Sequence, residues 1–146
     1  MPLPRPFRKC HRAIRTSLRS NLDILAIIFS ICVAIAVVFQ FALAFGAPWG
    51  HLAMGGRFPG KFPTAMRIAA VVQAIFLSLL AVVVLVRSHI MLPTFYEESL
   101  YGIWVVVGIS ALSFIMNLAT PMKWERIIWA PIGGILLACS LLIALS

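Results

Sequence analysis

Residues 22–45 read LDILAIIFSICVAIAVVFQFALAF, an apolar run with no charged side chain after Asp23. A helix rises about 1.5 Å per residue, so about 20 apolar residues cross a hydrocarbon layer about 30 Å thick. This run is long enough to cross with some tilt. A lone strand in lipid would leave its backbone donors and acceptors without partners, so the solvent itself requires a helix. The run is too long for the apolar core of a signal peptide, and Phe45-Gly46-Ala47-Pro48 is a poor cleavage site, so it reads as a retained span. Ser20 and Asn21 stand just upstream as helix-capping residues.

Working outward, three more runs meet the same test: about 68–86, 100–119 and 127–145. With 62% hydrophobic and 11% charged residues in a chain of 146, no soluble core could hide so much apolar surface. The stretches Val82–Val84 and Val105–Val107 would favour strands in water, but the backbone argument holds for them too. The fold class is therefore all-α: a polytopic integral membrane protein built as a four-transmembrane-helix bundle over residues 22–146, preceded by a basic segment, 1–21.

Six bases, Arg5, Arg8, Lys9, Arg12, Arg15 and Arg19, precede the first span and dominate a net charge of +8. Such a tail is attracted to anionic lipid head groups and keeps its end of the chain in the cytoplasm. It lacks the aromatic interleaving of a nucleic-acid platform, so membrane lipids rather than nucleic acid are the expected partners. Four spans put both termini on the cytoplasmic side of an inner membrane. The loops cut against this assignment: Arg57, Lys61, Arg67, Lys123 and Arg126 fall on the translocated side, whereas the middle connection sets Arg87 against Glu97 and Glu98. The misplaced bases either snorkel to the interface or neutralise lipid phosphates or an anionic ligand. Cys10, Cys32 and Cys139 show no metal-ligand or disulfide spacing, and neither a metal nor a cofactor is expected.

Lipid removes the hydrophobic drive between helices, so close packing depends on small residues at helical spacing. Ala26, Ser30 and Ala34 form one such row, Ala70, Ala74 and Ser78 a second, and Ala130, Gly134 and Ala138 a third. Ser110, Ser113 and Asn117 make a polar stripe that should face the bundle interior. These faces suit a homo-oligomer or a larger membrane complex.

The most informative connection is 46–63, GAPWGHLAMGGRFPGKFP, which holds five of the nine glycines. It cannot be regular helix or strand, yet Trp49, Leu52, Met54, Phe58 and Phe62 give it enough apolar surface to settle on the bundle as an ordered cap or a shallow re-entrant loop over 46–65. The third connection should lie beside it. Glu125 is then placed for a salt bridge to Arg57 or Arg67. Pro131 leaves the Ile127 carbonyl without its helical donor, so that this carbonyl, Gln40 and Asn117 line a polar pocket under the loop. The candidate ligand-binding residues are Gln40, Trp49, His51, Arg57, Arg67, Asn117, Glu125 and Arg126. Trp49 also suits an interfacial anchor.

The stretches GAPWG (46–50), MGG (54–56) with the proline and arginine that follow, NL (117–118), ER (125–126) and WAP (129–131) resemble an uncharacterised group of small bacterial four-span inner-membrane proteins. The resemblance implies the four-span architecture and no activity, cofactor or catalytic residue. Three functions follow from the residues. The first is a non-catalytic helical module or subunit of a membrane assembly. The second is binding or transport of an anionic or lipid-like ligand between the first and third loops. The third is a cofactor-independent membrane enzyme using His51 and Glu125. The balance leans against an enzyme, because no nucleophile-base arrangement is recognisable. The spans carry no central ionisable group, which weighs against proton-coupled transport.

Overall fold

The computed structural model describes residues 5–146, with side-chain surroundings described from Arg19 onward. Four helices make up the fold: α1 (Arg5–Ala44), α2 (Thr64–Arg87), α3 (Tyr96–Ala119) and α4 (Lys123–Ala144), and no strand occurs among the described residues. The helical segments Arg19–Ala44, Thr64–Arg87, Pro93–Ala119 (α3 with the 3-10 turn that leads into it) and Lys123–Ala144 are long and apolar enough to cross a membrane. A third or less of each span's most apolar window is buried inside the chain. The apolar surface left outside, such as Ile24, Ile27, Ile31 and Ile35 down one face of α1, needs lipid to cover it. This is a multi-pass helical membrane protein.

α2, α3 and α4 begin about a turn before their apolar runs, and α1 begins far earlier. α1 does not begin at a cap formed by Ser20 or Asn21; it passes through both and starts at Arg5. No glycine or proline lies between Phe7 and Asn21 to stop it, and Pro6 is tolerated in a first turn, where its missing N–H costs nothing. Its other end closes in a Schellman motif: Gly46 donates to the Leu43 carbonyl and Ala47 to that of Ala42. α2 closes the same way, with His89 donating to Val86 and Ile90 to Leu85.

The four helices form a ring in which each packs on its sequence neighbours and α4 returns to α1. Phe29, Val84, Ile103, Val106 and Ile143, all essentially inaccessible, fill the half nearest the termini. A smaller cluster, Leu43, Phe62 and Ala70, sits at the opposite end beneath residues 46–63. Small residues do the close packing, though only partly in the expected rows. Ala26, Ala70, Ala74 and Ala130 are buried, whereas Ala34, Ser78 and Ala138 face outward. Residues four apart advance about 40° at about 100° each, so a row of three winds off the buried face. A close approach of helix to backbone falls instead at Gly133, where an added Cβ would come within 3.2 Å of the Phe114 Cα.

Candidate functional site

The connection 46–63 is an ordered cap. Two 3-10 turns, Gly50–Leu52 and Met54–Gly56, follow the end of α1. Gly50 donates to the Gly60 carbonyl at 3.0 Å, closing the segment on itself. No other residue fits at Gly50, since a Cβ there would lie 2.0 Å from the Phe58 carbonyl oxygen.

Two side chains of α4 hold the cap down. The Trp129 indole N–H donates to the Leu52 carbonyl at 2.9 Å. The Gly55 N–H donates to Glu125 Oε2 at 2.8 Å, and the Thr120 hydroxyl donates to the same oxygen at 3.0 Å. Glu125 lies in the first turn of α4, where a negative charge is favoured by the helix dipole, and is only 7% exposed. The expected salt bridge from Glu125 to Arg57 or Arg67 is therefore replaced by a neutral tie. A backbone amide needs no desolvated guanidinium, and Arg67 Nε is already donating to the Ala44 carbonyl at the end of α1.

Beneath the cap lies a cavity of about 280 Å³. Gln40 and Asn117 line it, as the sequence suggested, and they are joined by Glu125, Gln73, Ser113 and Trp129. The Ile127 carbonyl is not part of the wall; Trp129, Ile132 and Gly133 supply that side of α4. Trp49, His51, Arg57, Arg67 and Arg126 do not line the cavity either. Trp49 stacks on Phe39 with centroids 6.3 Å apart, His51, Arg57 and Arg126 are exposed, and Arg67 heads a shallow apolar groove between α1 and α2 on the outer surface. His51 is not a partner of Glu125, so the sequence-based enzyme pairing is not assembled.

The cavity has a direction. Its lining from α1 and α4 includes buried residues such as Leu43, Glu125 and Leu136, while Ala69, Gln73 and Ser113, from α2 and α3, are exposed. It thus opens sideways between α2 and α3. Gln73 lies about 14 Å along α2 from Thr64, so an amide reaches well below the cap into the apolar zone. On α3, the Asn117 amide donates to Ser113 Oγ at 3.4 Å, continuing the polar stripe whose third member, Ser110, is buried. Gln73 was missed in the sequence because one amide in an apolar run is easily absorbed. Its register with Met66, Ala69, Ala70 and Leu77 is what puts it on the cavity face.

Fold and site together define a four-span helical membrane protein with a capped, laterally open cavity. In comparison with known proteins, the chain matches no family model, no curated protein and no solved structure.

Proposed function

We propose that this protein is a non-catalytic helical membrane module that binds an amphipathic, lipid-like molecule in the capped cavity, entering from the bilayer between α2 and α3. The observation that carries the reading is the exposure of Gln73 and Ser113 along the flank of a cavity whose other walls are largely apolar. Polar groups at membrane depth are costly unless they face a cavity or a partner. A site of this kind, mostly apolar with a few convergent polar groups, has the make-up of a ligand pocket. The lining favours a neutral or positively charged head group over the anionic one first expected, because among the described residues its only charged side chain is the Glu125 carboxylate.

The experiment is to plug the mouth. Ser113→Trp and Ala69→Trp place large rings where the lining is exposed, away from the dense core. Native mass spectrometry in mild detergent should find a retained amphiphile on the wild-type protein and at least ten-fold lower occupancy on both variants. Equal occupancy in plugged and unplugged protein refutes the proposal.

A second reading, a subunit of a larger membrane assembly, draws on α3. It is the least covered span, with Tyr101, Trp104, Leu112 and Ile115 on its open surface. The same spectra test it, since a monomer without a partner subunit counts against it. The inner-membrane location with both termini cytoplasmic is likewise proposed, on the strength of the six bases ahead of the first span.

A further inference from the structure

The Glu125 carboxylate is nine-tenths buried, yet no cationic side chain among the described residues neutralises it. Both of its hydrogen bonds fall on Oε2, from the Gly55 amide and the Thr120 hydroxyl. Oε1 accepts no hydrogen bond among the described residues, and unlike Arg87 Nε and Ser88 Oγ it is not a fully enclosed unpartnered atom, so it stays accessible in a side chain that lines the cavity. The bases of the same end are otherwise placed: Arg57, Lys61, Lys123 and Arg126 are exposed, and Arg67 is turned to the Ala44 carbonyl. A carboxylate this buried, with both neutral donors on one oxygen and the other oxygen accessible, favours positive charge in the cavity beside it.

The surroundings fit a particular kind of cation. Phe39 and Trp129 line the same cavity, with centroids 4.6 Å apart and ring planes 60° apart. Trp129 has its N–H committed to Leu52, which fixes the ring's position beside the pocket. Ring faces attract ammonium groups through their quadrupoles, most of all where water is excluded. The Gln40 and Asn117 side-chain carbonyls are further acceptors on the lining, and the lower cavity, with Leu77 and Leu136, is apolar.

We infer that the cavity selects amphipathic cations: an alkylammonium head group held by Glu125 Oε1 and the Phe39–Trp129 pair, with its hydrocarbon tail directed down toward Leu77 and Leu136. This rests on the cavity being a ligand site at all, as proposed above. The Glu125 carboxylate then serves two partners at once, one oxygen fastening the cap and the other holding the ligand's charge.

The test is calorimetric titration of the protein in maltoside micelles, against empty micelles, with three probes of equal chain length: decyltrimethylammonium, 1-decanol and decyl sulfate. The wild-type protein should bind the cation at least ten-fold more tightly than either of the others. Glu125→Gln retains a side-chain oxygen for Gly55 and Thr120, and it should lose at least ten-fold in cation affinity while 1-decanol binding stays unchanged. Glu125→Asp keeps the charge and should keep the preference for the cation. Equal binding of cation and alcohol by the wild-type protein, or preference for the sulfate, overturns the inference and leaves the ligand site standing; that readout needs no variant to fold. Saturable binding of none of the three overturns both.

Discussion

Replacing Gly50 by alanine should unfasten the cap without unfolding the bundle. The added Cβ would sit 2.0 Å from the Phe58 carbonyl oxygen, 2.8 Å from that of Gly60 and 3.0 Å from the Phe62 ring. An ordinary carbon–oxygen approach is about 3.3 Å, so backbone has to move by roughly 1.3 Å in a segment closed by the Gly50–Gly60 hydrogen bond. Overpacking of this kind costs about 1–3 kcal/mol, and the lost hydrogen bond adds about 0.5–1.5 kcal/mol. A local penalty of about 1.5–4.5 kcal/mol raises the population of the open cap by roughly 10- to 1600-fold, at about 1.4 kcal/mol per factor of ten. The core around Phe29 and Ile103 lies in the other half of the bundle and does not share the strain. Hydrogen exchange followed by mass spectrometry reads the difference directly. The amides of Ala53, Gly55 and Gly56, which are bonded in the closed cap, should exchange faster in Gly50→Ala, while those of Ser88 and Ile90 at the opposite end should not change. Wild-type protection across residues 46–62 in the variant would refute the close approach. Uniform loss of protection over all four helices would refute the independence of the cap.

Gly133→Ala should lower thermal stability in micelles by about 1–3 kcal/mol, because its Cβ would press on Phe114 backbone at 3.2 Å and wedge α3 from α4; an unchanged melting curve would mean the helices are less closely packed there. For the proposed orientation, Lys61→Cys should react with a membrane-impermeant thiol reagent added outside intact cells, while a reporter fused after Ser146 stays protected. Protection of the Lys61→Cys thiol together with exposure of the reporter would invert the topology.

The spans were legible in the sequence because lipid leaves a chain so few options: an apolar run of sufficient length has to be helical. Helix ends were less legible. Apolarity marks the lipid, whereas the helix continues wherever nothing stops it, so Arg67 and Lys123 lie inside α2 and α4 although they fall outside the apolar runs. The proximity of the first and third loops could be anticipated from span order alone, and so could Gln40 and Asn117 under the cap. The partner of Glu125 could not. Charge arithmetic offered it an arginine, but a buried carboxylate also satisfies itself with backbone N–H groups, and which amide arrives depends on the turns around Gly55. Gln73 needed its neighbours on three other helices before its position meant anything.

Both α4 side chains that grip the cap, Glu125 and Trp129, come before Pro131. Proline removes the N–H that the Ile127 carbonyl would otherwise receive, so the helix is weakest just below its two anchors. The first two turns of α4, which carry both anchors of the cap, are therefore joined to the rest of the helix by one backbone hydrogen bond fewer than an uninterrupted helix would have.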